Sequence, residues 1–161
     1  MKNLLFLLLL LPLTAISQKD YMAETIEKKV MMIQTFVHKA EKGEESFWQT
    51  KGKVTYFIVN YTELQNPQFK ELFIKQYQEL LPIYNKMIVS QDENDTRKFI
   101  LTLIRQEDDF RKLLTPEQLQ KYRDKLSDYD KNDKTNRDAY NSLFFTDSLL
   151  AEYKKRYDYK G

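Results

Sequence analysis

The chain has one histidine, His38, between Val37 and Lys39, and no cysteine. An imidazole can serve as base, proton carrier or metal ligand. With no second histidine and no thiol, the usual nitrogen and sulfur set for zinc cannot be assembled. A nucleophilic triad would have to use His38 as its base, and no glycine-rich phosphate loop accompanies it. Asp128, Asp130 and Asn132 stand at alternate positions, as at the start of a calcium loop. Position 6 of such a loop would be Asp133 where the sharp turn wants glycine, and position 12 would be Ala139 where a bidentate glutamate belongs. The stretch therefore reads as a solvated acidic loop. Glu107-Asp108-Asp109 sits among Arg105, Arg111 and Lys112, where pairing along a helix accounts for it. No catalytic, cofactor-binding or metal-binding residue is expected, and the chain does not read as an enzyme.

Among the elements, the sharpest local signal is Leu114-Thr115-Pro116-Glu117-Gln118. Thr115 suits an N-cap, Pro116 the first helical position, and Gln118 the return arm of a capping box. Glu117 adds negative charge at the positive end of the helix dipole. Apolar stripes predict helices over 20–42, 67–81, 96–113 and 116–130. The first follows Met22, Ile26, Val30, Ile33, Val37 and Ala40 and ends near Gly43. The second is capped by Asn66 and Pro67, and Pro82 inside its extension predicts a kink or a break. A C-terminal helix carries Ala139, Tyr140, Leu143, Phe144, Leu150, Tyr153 and Tyr157, with an interruption at Thr146-Asp147. Val54 to Val59 is β-branched and aromatic, which suits a strand. It also fits one helical face, so helix and strand stay open there, with helix favoured.

Lys2 followed by the apolar run Leu4–Leu11, Pro12 and Ala15-Ile16-Ser17 has the form of a secretory signal peptide, expected to be cleaved after Ser17. The run is far shorter than the roughly 20 residues of a membrane span. A periplasmic or secreted protein of residues 18–161 follows, one domain with no disulfide to help it fold. Its charges nearly cancel, 25 Lys and Arg (26 less Lys2) against 24 Asp and Glu. No basic block marks it for nucleic acid. Glycine and proline are sparse, which favours helices. The 11 Tyr, 10 Phe and one Trp exceed what a thin helical protein can bury, so some are expected on an amphipathic surface.

Leu114-Thr115-x-x-Gln118 resembles the LTxxQ signature of the Spy/CpxP family of small periplasmic all-helical proteins. Members often carry two such motifs. The candidate for the first here is Tyr61-Thr62-Glu63-Leu64-Gln65, which keeps Thr62 and Gln65 and departs at Tyr61, where the signature has leucine. The likeness spans about residues 61–130. It implies an all-α, cradle-shaped arrangement of thin helical layers, here four to five amphipathic helices, as an antiparallel homodimer. It also implies ATP-independent chaperone-like holding of unfolded or stress-damaged envelope proteins. The alternatives are a regulator that docks one defined envelope protein, such as a stress-sensor kinase, or an enzyme with an unrecognised site. In each case the motif is expected to cap a helix rather than to contact a client.

Overall fold

The computed structural model describes residues 21–161; the expected leader, 1–17, lies outside the described residues. Seven α-helices make up these residues: α1 Tyr21–Val37, α2 Gly43–Val59, α3 Asn66–Ser90, α4 Glu93–Lys112, α5 Pro116–Asn132, α6 Lys134–Leu143 and α7 Asp147–Arg156. No strand occurs among them, and no described helix is long and apolar enough to cross a membrane.

Caps set most of the boundaries. Asp92 accepts from the backbone N–H groups of Asn94 and Asp95 at the start of α4, and Thr146 accepts from Leu149 at the start of α7. Asn60 ends α2 in the left-handed region with φ 50°, a conformation asparagine tolerates better than most residues.

α3 lies between α2 and α4 and runs antiparallel to both. Lys51 meets Gln76 and Tyr61 meets Phe69 on one side; Phe99 meets Tyr84 and Phe110 meets Phe73 on the other. α1 packs on α6, and α5 packs on α2 and α6. At the centre, Phe110 has ring centroids 5.4–6.0 Å from Phe69, Phe73, Tyr122 and Phe144, so one ring joins α3, α4, α5 and the chain after α6.

Several expectations change. Seven helices replace four or five: 43–59 is one helix, as favoured for Val54 to Val59, and the C-terminal pattern divides at Phe144-Phe145-Thr146, beside the interruption expected at Thr146-Asp147. The strand alternative for Val54 to Val59 falls: Thr55, Ile58 and Val59 bury against neighbours at helical spacing. The first helix stops at Val37, and Ala40–Lys42 forms a short 3₁₀ turn with Ala40 at φ 50°. Gly43 opens α2 rather than ending α1, and its missing Cβ admits the Phe36 carbonyl. The buried stripe of α1 is also rotated, to Met22, Thr25, Lys29, Ile33 and Phe36.

Pro82 does not break α3, which continues to Ser90. Pro82 and Gln78 are both exposed, so the carbonyl left without its helical donor faces water. Asn66 and Pro67 are the first helical residues of α3, and the preceding Gln65 makes no side-chain cap bond. Asp128 to Asn132 is the last turn of α5, not a loop, so its carboxylates cannot converge as loop ligands.

Candidate binding groove and its anchoring motif

Thr115 and Gln118 close a capping box. The Thr115 Oγ1 accepts from the Gln118 N–H at 3.2 Å, and the Gln118 Oε1 accepts from the Thr115 N–H at 3.1 Å. Leu114 is buried, Pro116 occupies the first helical position, and Glu117 pairs with Lys121, which holds its carboxyl below the usual range.

The Tyr61–Gln65 turn repeats half of this arrangement. The Thr62 N–H donates to the Gln65 Oε1 at 3.0 Å, as Thr115 does to Gln118. The second half is absent, because the Gln65 N–H donates to the Thr62 backbone carbonyl rather than to its hydroxyl. The two turns then join: Gln65 Nε2 donates to Gln118 Oε1 at 3.0 Å, and Gln118 Nε2 donates to Gln65 Oε1 at 2.9 Å. Sequence reasoning placed both glutamines in like motifs and did not foresee that they touch. Their pairing fixes the loop between α2 and α3 against the start of α5.

That loop ends a groove. Trp48, Gln49, Gly52, Lys53, Tyr56, Phe57 and Asn60 from α2, Tyr61 from the loop, and Asn66, Phe69 and Lys70 from α3 enclose about 850 Å³. Concave sites of roughly 300–1,000 Å³ with apolar walls and few polar groups are typical of ligand binding. Tyr61 forms part of the wall, its ring centroid 4.7 Å from Phe69 and 5.3 Å from Tyr56, and its hydroxyl donates to the Gly52 carbonyl at 3.3 Å.

Gly52 keeps the groove open. A glycine inside a helix costs about 0.5–1 kcal/mol relative to alanine. A Cβ at this position would meet only the Tyr61 hydroxyl, at 3.7 Å, so its absence relieves no clash and leaves space. Beside the groove stand the aromatic residues expected on a surface: Tyr56 is 53% exposed and Phe57 65%. Leu64, on the loop, is 87% exposed.

A second cluster lies in the core: the sequence singled out neither of its lysines, and of its members only Glu107 was expected, paired along its helix, as it is with Arg111. The Lys29 ammonium donates to the carbonyls of Asn141 and Phe144 at 2.6 and 2.7 Å and lies 3.7 Å from the centre of the Phe145 ring. Lys51 donates to the Gln76 Oε1 at 2.8 Å among the rings of Phe47, Phe73 and Phe144. Burial pushes Lys29 down to about 7 and Lys51 to about 8, with the Glu107 carboxylate opposing both shifts.

Glu107 is itself buried. Its Oε1 accepts from Arg111 Nε and from the Tyr122 hydroxyl, each at 2.7 Å, and burial with that charge raises Tyr122 well above its usual range. Lys29, Lys51 and Glu107 border a cavity of about 20 Å³, room for one water molecule and for no substrate. The available signal was phase: Lys29 shares the α1 stripe with Met22, Thr25, Ile33 and Phe36.

The other candidates are spread apart. His38 is exposed at the end of α1. Asp130 accepts from the Tyr21 hydroxyl at 2.9 Å, and Asp128 from the Asn132 amide at 2.7 Å. Asp109 pairs along α4 with Arg105 and Lys112, whereas Asp108 reaches Lys154 on α7 at 2.7 Å. No group of three or more potential metal ligands occurs among the described residues. Comparison with known protein families, curated proteins and solved structures finds no match.

Proposed function

We propose that this is a non-enzymatic periplasmic binding protein that holds apolar segments of unfolded or damaged proteins. The observation that carries the reading is the exposure of Tyr56 and Phe57 in an aromatic groove, with Leu64 exposed on the loop between α2 and α3. Contiguous exposed apolar surface is uncommon on a monomeric domain and marks sites of interaction. The signal-peptide pattern and the resemblance of Leu114 to Gln118 to the LTxxQ motif support the same reading. So do the unmatched needs of the catalytic constellations considered above.

Such holding works by mass action. A protein that binds exposed apolar chain keeps it from self-association in proportion to its concentration, with no nucleotide. Tyrosine suits adaptable contact, since its ring is apolar and its hydroxyl tolerates water. The Gln65–Gln118 pair steadies the loop and does not itself touch a client.

The test uses residues 18–161 with several unrelated denatured proteins, following aggregation by light scattering. Suppression at near-stoichiometric amounts is expected, with Phe57→Asp and Leu64→Asp together weakening it several-fold while the helical circular dichroism stays unchanged. No effect on any client at several-fold excess overturns the reading and favours a regulator that docks one defined envelope protein.

A further inference from the structure

We propose that the groove between α2 and α3 is a discrete binding site for a long-chain carboxylate, an aliphatic chain ending in one anionic head. This goes beyond the holding of unfolded proteins and does not require it.

Three features of the groove select this ligand. The first is charge. Its charged lining residues are Lys53 and Lys70, and no carboxylate lines it. In a chain with 24 acidic residues, neither lysine makes an ion pair among the described residues, and the Lys70 ammonium lies 4.5 Å from the centre of the Trp48 ring. A third cation, Lys125 of α5, stands 5.9 Å from the Phe57 ring centre, also without an ion pair among the described residues. A cationic ligand would be repelled. An anionic head meets a lining whose charged groups are lysines that no carboxylate pairs among the described residues.

The second feature is shape. From Gln49 to Asn60 the groove follows α2 for about 16 Å at about 1.5 Å per residue. A wall of that length along α2 can carry an extended chain, with α3 contributing Asn66, Phe69 and Lys70 beside one part of it. Its walls are aromatic faces, Trp48, Tyr56, Phe57, Tyr61 and Phe69, and its neutral polar groups, Gln49, Asn60 and Asn66, are few. Burial of methylene groups against such walls supplies the affinity, and the lysines supply the orientation.

Gly52 is the third. It stands in the middle of α2 on the groove side, where a helix would favour almost any other residue. Only the Tyr61 hydroxyl lies within 4 Å of a Cβ at this position, so a side chain there starts on the groove side without a backbone clash at its first carbon.

Trp48 is the one tryptophan of the chain and lines the site, so its fluorescence reports occupancy directly. The purified protein is titrated with dodecanoate below its micellar concentration, with calorimetry run in parallel so that a silent tryptophan does not hide binding. Saturable binding is expected, with dodecanol and dodecylammonium at least tenfold weaker. Lys53→Gln with Lys70→Gln should bring dodecanoate to the level of dodecanol. Gly52→Leu should abolish binding while circular dichroism and melting temperature stay at or above those of the parent.

Absence of binding by both methods overturns the proposal, as does equal affinity for acid and alcohol, or undiminished binding by Gly52→Leu. A Trp48 response to an unfolded client peptide but none to dodecanoate assigns the groove to peptide and likewise overturns it. The proposed holding function is scored separately by the aggregation assay, so either reading can fail alone.

Discussion

Gln65 and Gln118 lie 53 residues apart and exchange both side-chain amide hydrogen bonds, at 2.9 and 3.0 Å. Each Oε1 also accepts the backbone N–H three residues before it, from Thr62 and from Thr115. One pair of side chains thus ties the α2–α3 connection to the first turn of α5, and through Tyr61 it sets one wall of the groove.

Thr115→Ala removes a cap and should cost about 0.5–2 kcal/mol. Gln118→Ala should cost more, because it loses the return bond and both bonds to Gln65, leaving a half-buried amide without its partner. Urea melts of Gln65→Ala, Gln118→Ala and the double variant should show coupling, the double costing less than the sum of the singles. Additive costs would show that the amide pair contributes nothing to stability.

The two glycines of α2 should respond in opposite directions to alanine. At Gly43 a Cβ would lie 2.6 Å from the Phe36 carbonyl oxygen and closer still to the Tyr77 hydroxyl, so backbone must move and the helix loses its fit. Overpacking of this kind typically costs about 1–3 kcal/mol. At Gly52 the Cβ meets nothing closer than 3.7 Å, and alanine should stabilise by about 0.5–1 kcal/mol. Thermal melts that move the same way for both variants would contradict this.

Stability should rise with pH between about 7 and 9. Lys29 and Lys51 titrate near 7 and 8 in the folded protein and at their ordinary value of 10.5 when unfolded. Between those values the unfolded chain binds more protons, so raising pH favours the folded state, at up to about 1.4 kcal/mol per pH unit for each lysine. The Glu107 carboxylate faces both lysines and opposes their downward shifts, and the charge of Lys51 adds to the shift of Lys29. Lys29→Met should flatten the slope of melting temperature against pH over this range. A slope as steep as that of the parent would mean that Lys29 does not titrate there.

Local structure was legible in the sequence where its causes were local. The Thr115–Gln118 box needs four consecutive residues and backbone geometry, and it formed as those residues dictate. The stripes of α3, α4 and α5 were readable because apolar spacing records which face a helix buries. Tyr56 and Phe57 were foreseen only as part of an excess of aromatics that a thin core could not absorb.

What the tertiary structure decided are the relations between distant segments. Lys29, Lys51 and Glu107 look like surface charges one at a time. They stay buried because the carbonyls of Asn141 and Phe144, the Gln76 amide and Tyr122 arrive from other segments, and Arg111 from the next turn of α4, to satisfy them. Pro82 could not announce that its unpartnered turn would face water. The groove required α2 and α3 to lie side by side before Gly52 became space rather than a weak point in a helix. Gln65 and Gln118 each carried a local signal, but their pairing is long-range, and only the packing of the α2–α3 loop against α5 brings the amides within reach.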